Sequence, residues 1–181
     1  MPWNFNPEWT SRKITDSAQR ILRMTFERSS DRGLHVVDAS SMPMVVLSSI
    51  VLWERKVGRV ALERIGLDRF GLAGELDRLL DGKADEFRIR FDKGRGILVF
   101  AKTNEPYTHW DIDGVLEPLL SQAEREASGM GHNYVGSEHL VLSVIVLADP
   151  VLSGLLQKHG IDYQKARKSV LELLGWAPDH P

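Results

Sequence analysis

The chain has 181 residues, with 23 Lys plus Arg against 25 Asp plus Glu, a formal net charge of -2, 43% hydrophobic residues and no cysteine. That length holds one globular unit or two small fused ones, and the near-neutral balance gives no bulk attraction for nucleic acid or an anionic membrane. The absence of cysteine removes disulfides, thiolate catalysis and cysteine-based zinc or iron–sulfur sites.

The first residues, MPWNFNPEWTSRK, carry charge and aromatics without a continuous apolar run, unlike a secretory signal. Residues 1–11 read as an N-terminal arm in which Trp3, Phe5 and Trp9 are available either for packing or for contact with another chain. From Thr15, a candidate N-cap, Ala18, Ile21, Leu22, Thr25 and Phe26 recur at helical spacing. Met42 to Trp53 forms a second, nearly continuous apolar helix that tolerates Pro43 in its first turn. Val57, Val60, Ala61 and Ile65 give a third stripe before Gly66, and Leu72, Leu76, Leu79 and Leu80 a fourth before Asp81-Gly82. Neither Met42 to Trp53 nor Leu140 to Leu147 reaches the roughly 20 residues that span a bilayer, so both read as buried helices of a cytoplasmic protein.

The period then changes. Phe87, Ile89 and Phe91 alternate with Arg88 and Arg90, and Asp92 to Gly96 leads into Ile97 to Phe100, which predicts two strands joined by a short turn. An isolated hairpin is marginally stable, so its apolar face is expected to pack on helices or a partner. The cations Arg88, Arg90, Lys93 and Arg95 make a solvated face or a surface for an acidic protein. They are also the only candidate nucleic-acid patch, and no nucleic-acid partner is expected. After a loop around Pro106, helical spacing resumes at Leu116, Leu119, Leu120, Ala123 and Ala127, with Asp113 as a candidate cap. The connector GMGHNYVG follows. Ser137 is a plausible N-cap for an apolar helix through Leu147, and stripes at Val151 to Leu156 and Ala166 to Leu174 end at Gly160 and Gly175.

The two halves match. Ile14-Thr15 corresponds to Ile112-Asp113, a displacement of 112 minus 14, or 98 residues, and Ile65-Gly66-Leu67-Asp68 to His159-Gly160-Ile161-Asp162, at 159 minus 65, or 94. The expected fold class is therefore mainly α: a duplicated four-helix repeat of about eight helices with pseudo-twofold symmetry and a β-hairpin inserted between the repeats. The expected domain covers 12–176, as repeat 12–82, hairpin and linker 83–109 and repeat 110–176, with a tail at 177–181.

GHNYVGSEHLVLSVI, followed by LSGLLQKHGIDYQKARKSVLELLG, resembles the second repeat of the N-terminal domain of Clp-type AAA+ unfoldases, and the first repeat resembles a divergent copy. The resemblance implies a domain that receives adaptors or substrates before an ATPase ring unfolds them, in some members by recognising phosphorylated arginine through acids at helix starts. Carried over residue by residue, it supports Glu138, with Ser137 and His139 beside it, as the binding position. The first copy has Ser40 at the glutamate position and no neighbouring carboxylate, so a symmetric two-site receptor is not expected. No G-x-x-x-x-G-K-[ST] loop occurs and the length leaves no room for an ATPase module, so the expectation is a stand-alone relative.

Other chemistry is weakly supported. Adjacent Ser137, Glu138 and His139 project about 100° apart on a helix and cannot form a local Ser–His–acid relay. His132 and His139 can approach across the turn, but no HExxH pattern accompanies them, so no metal is expected, nor any cofactor. Gly94-Arg95-Gly96 lacks the third glycine of a nucleotide loop. Trp53, Trp110 and Trp176 read as core or junction anchors. The expected protein is a noncatalytic recognition or adaptor module whose partners are a Clp-type AAA+ unfoldase, its protease component, an adaptor or a substrate protein. The alternative is an accessory subunit of a Clp complex that binds through the hairpin and the aromatic arm.

Overall fold

The computed structural model describes residues 13–31, 42–83, 87–92, 97–102 and 112–176. Helix α1 (Asp16–Asp31) starts where Thr15 Oγ1 accepts the Ala18 N–H at 3.3 Å, and it buries Ala18, Ile21, Leu22 and Thr25 on one stripe. Helix α2 (Met42–Trp53) is apolar on every side and buried from Met42 through Val51, with Pro43 in its first turn. Its C-terminal carbonyls are closed by Arg69, whose Nε donates to Val51 O at 2.9 Å and Nη2 to Leu52 O at 2.7 Å.

Helices α3 (Val57–Arg64) and α4 (Arg69–Lys83) complete the first group of four. Helix α4 runs through Asp81-Gly82, which the sequence reads as a stop. The second group is α5 (Ile112–Gly129), α6 (Ser137–Val146), α7 (Pro150–Lys158) and α8 (Tyr163–Leu173). Helix α5 already begins at Ile112, so Asp113 lies inside its first turn and is not the N-cap.

Hydrogen bonds repeat in register between the groups. Leu67 N–H donates to Leu62 O at 3.1 Å after α3, and 94 residues later Ile161 N–H donates to Leu156 O at 2.9 Å after α7. Gly66 and Gly160 take positive φ at the same step, and Leu67 and Ile161 are buried beyond them. Asp68 then accepts the Gly71 N–H at 3.1 Å, as Asp162 accepts the Lys165 N–H at 2.9 Å. These shared turns fit a duplicated four-helix repeat.

The fold class needs one correction. The packed domain is all-α, with eight helices among the described residues, and no sheet layer forms part of it. Segments β1 (Phe87–Asp92) and β2 (Ile97–Lys102) pair antiparallel with each other alone, Phe87 opposite Lys102 and Asp92 opposite Ile97. A two-stranded ribbon cannot enclose a core of its own, and the described core residues come from the helices and the turns beside them. The hairpin expected as an architectural element of a mainly-α fold is thus replaced by an all-α, eight-helix class.

The apolar helices α2 and α6 pack against each other at the centre, and α6 also touches α1, α3, α5 and α8. Contacts that tie the groups together include a backbone bridge, a hydroxyl bond and an ion pair. Ile14 forms a parallel bridge with Val135, Ser169 Oγ donates to Ala61 O at 3.0 Å, and Lys158 Nζ reaches Glu75 Oε2 at 2.7 Å. Among the described residues no single helix is long and apolar enough to cross a membrane. The consecutive pair α6 and α7 is apolar, but it bends by 113° at the break between them.

Candidate recognition site

The connector before α6 is held by the start of the chain: Thr15 N–H donates to Val135 O at 2.9 Å and Val135 N–H to Lys13 O at 2.8 Å. This pairing delivers Gly136 in extended conformation (φ -104°, ψ 178°) to the N-cap position of α6. Gly136, not Ser137, is therefore the N-cap. Ser137 is the first helical residue, and its Oγ accepts the N–H of Gly58 from the first turn of α3 at 3.3 Å. An added Cβ on Gly58 would lie 2.7 Å from Ser137 O, so glycine is what lets the two helix starts touch.

His139 takes the place that Glu or Gln usually fills three residues into a capped helix. Its Nδ1 accepts the Gly136 N–H at 2.8 Å, while its Nε2 lies 3.0 Å from His132 Nδ1. One acceptor nitrogen on a neutral imidazole requires the other to carry the proton. His139 is thus the Nε2–H tautomer and donates to His132 Nδ1, which leaves the proton of a neutral His132 on Nε2. Complete burial, followed by the charge that His132 can carry, holds the His139 pKa down to about 4. Tyr134 stacks on His132 with ring centroids 4.9 Å apart, beside an open cavity of about 460 Å³ also lined by Lys13, Glu124 and Asn133.

The sequence places Glu138 on the surface; the structure recesses it to 5% exposure. Its carboxylate folds back over Gly136, where an added Cβ would overlap it, and Ser137 Oγ lies 3.4 Å from Oε2. Burial raises its pKa above the ordinary carboxylate value, against lowering by its own backbone N–H, and the neighbouring Glu54 charge adds to the rise. Glu54, equally buried, comes from the end of α2: its Oε2 accepts the Arg59 N–H at 2.8 Å and its Oε1 lies 3.5 Å from Ser17 Oγ. Sequence reasoning missed Glu54, since an acid in Trp53-Glu54-Arg55-Lys56 reads as part of a solvated link.

The donor atoms of His132, Glu138 and His139 all lie within 4.8 Å of one another, a spacing a metal ion could use. The hydrogen bonds argue otherwise. A metal on His139 Nε2 would displace the proton donated to His132 while the Gly136 N–H still occupies Nδ1, leaving an imidazolate or breaking the cap. The cluster is a hydrogen-bonded helix start. The same two bonds occupy both nitrogens of His139, so Ser137, Glu138 and His139 form no nucleophile relay.

The remaining sequence candidates do not join this site. Trp3, Phe5, Trp9, Lys93, Arg95, Trp110 and Ser40 lie outside the described residues. Arg88 and Arg90 lie on β1 and Trp53 ends α2, but their side chains are outside them too. Trp176, expected as a core anchor, is 47% exposed. His159 pairs with Glu75 at 3.3 Å in the contact between the groups.

The helices form two matched groups with a polar recess where the starts of α3 and α6 meet. The family profile described as the Clp repeat (R) N-terminal domain matches residues 115–180. The negative regulator of genetic competence ClpC/MecB of Bacillus subtilis is 44% identical over 163 residues, covering 90% of this chain and 17% of that protein. The chaperone protein ClpB of Oceanobacillus iheyensis is 24% identical over 164 residues, again 90% of this chain and 17% of the relative. The Hsp104 N-terminal domain from Candida albicans shares the fold at a TM-score of 0.60, with 13% identity and coverage of 92% of this chain and 94% of that one. The chain is a Clp-N-type domain, homologous to the N-terminal domains of Clp-family chaperones and ATPases. Such a domain is a noncatalytic, protein-binding module, and this chain spans about a sixth of the length of the two curated relatives named here.

Proposed function

We propose that the domain captures basic or arginine-phosphorylated protein segments, with the Glu138 carboxylate meeting the guanidinium or ammonium of the bound side chain, and presents them to a Clp-type AAA+ unfoldase and its protease. The observation that carries this reading is the environment of Glu138. Among the described residues no Lys or Arg pairs with its carboxylate, and burial makes its charge costly until a cation arrives. A guanidinium suits the recess better than an ammonium, because it is planar, weakly hydrated and able to donate to a carboxylate through two N–H groups. The second residue of α2 is Pro43 where α6 has Glu138, so the first repeat offers no acid at that position and one ligand per domain is expected.

Titration calorimetry with an arginine-phosphorylated peptide and its unmodified basic counterpart tests the reading. Glu138→Ala should keep its circular dichroism spectrum and lose affinity for both peptides. Unchanged affinity would remove Glu138 from the site.

A further inference from the structure

Glu54 has a structural task that does not require its charge. Its Oε2 satisfies the Arg59 N–H in the first turn of α3, a bond that any well-placed oxygen could accept. Yet the charge is buried where the starts of α3 and α6, one from each repeat, come together. Gly58, one residue before Arg59, donates to Ser137 Oγ, which lies 3.4 Å from Glu138 Oε2. A carboxylate from α2 and a carboxylate from α6 thus converge on the start of α3. The proximity is felt electrostatically, since the Glu54 charge opposes ionisation of Glu138. In the second repeat the matching bond is made by Asp149, the N-cap of α7, whose Oδ1 accepts the Leu152 N–H at 2.7 Å.

We infer that Glu54 is a specificity-determining residue of the Glu138 recess, supplying from the first repeat a second carboxylate that directs the site toward guanidinium-type cations. The inference rests on the proposed role of Glu138. Two like charges held in a desolvated seam repel until a cation lies against both, and the five donors of a guanidinium can serve two carboxylates at once. A compact ammonium keeps more of its hydration and gains less from the second acid. Glu54 also makes the pocket composite, with one acid from each repeat, although the first repeat lacks the acid at its own connector.

The test compares Glu54→Gln with Glu138→Ala in the full chain, titrated with an arginine peptide and with the same peptide carrying lysine. The Glu54→Gln side chain keeps an amide oxygen for the Arg59 N–H and removes the charge. The expected result is a folded Glu54→Gln variant that binds the arginine peptide about tenfold more weakly and loses its preference over lysine. If Glu54→Gln binds as the wild type while Glu138→Ala loses binding, Glu54 only caps α3 and the inference fails with the Glu138 reading intact. If neither variant changes affinity, the Glu138 reading itself fails. Should Glu54→Gln not fold, Glu138→Gln with Glu54 intact replaces it: a residual preference for the arginine over the lysine peptide supports the second carboxylate, and equal affinity for the two overturns it.

Discussion

Gly58 donates its backbone N–H to the Ser137 hydroxyl at 3.3 Å across 79 residues of chain, joining the first turns of α3 and α6. No side chain fits at Gly58, because Ser137 O lies 2.7 Å from where a Cβ would stand, and both close neighbours there are backbone atoms. The Glu138 recess exists because these two helix starts are allowed to touch.

Gly58→Ala should therefore destabilise the domain by about 1–3 kcal/mol through overpacking that neither helix can relieve. Gly74→Ala, within α4 and with nothing inside 4 Å of the added methyl, should be neutral or stabilising by up to about 1 kcal/mol. Urea unfolding of the two variants checks the contrast. Equal stability would mean that α3 and α6 are not in contact at Gly58.

The histidine pair makes a spectroscopic prediction. At neutral pH the His139 ring should be the Nε2–H tautomer with Nδ1 accepting from Gly136, visible in long-range proton–nitrogen correlation spectra. Adding zinc should leave the His139 ring signals in place. A proton on His139 Nδ1, or a zinc-induced shift at both His132 and His139, would contradict the hydrogen-bond assignment.

Stability should fall on acidification because of His139. Its folded pKa of about 4 lies below the unfolded value of 6.5, so the unfolded chain binds the extra proton between those values. The stability this provides is fully present above pH 6.5 and lost as pH falls toward 4, an effect of about 3 kcal/mol. Glu138 acts in the opposite sense. Its raised pKa gives stability below the unfolded value of 4.5 that is lost as pH rises through the folded value. Urea unfolding between pH 7 and 4.5 should show wild-type stability falling, and Glu138→Gln, which removes the opposing contribution, should fall more steeply. A shallower profile in the variant would reverse the assigned signs.

Much of the fold was legible because it is written locally. The stripe of Ala18, Ile21, Leu22 and Thr25, the Asp68 and Asp162 caps and the turns at Gly66 and Gly160 each depend on residues a few positions apart. The site was legible in part: the connector and α6 start stand out in GHNYVGSEH, and His132 does meet His139. What remained hidden depends on distant partners. Only the approach of α3 explains why Ser137 receives Gly58 instead of capping its own helix, and why Glu138 and Glu54 are buried. Trp176 misled for the converse reason, since a large aromatic after an apolar stripe predicts burial, whereas the chain turns at Gly175 and leaves the ring 47% exposed. The hairpin reading failed as a statement of fold class, because an alternating period over a few residues does not make a sheet layer of an all-α domain.

The most direct measurement of the central claim is chemical-shift mapping of the isotope-labelled chain during titration with an arginine-phosphorylated peptide. Saturable shifts at Gly58, Gly136, Ser137 and Glu138, with one peptide bound per chain, are the expected result. Saturation with those four residues unmoved would place recognition elsewhere on the domain and contradict the Glu138 recess as its site.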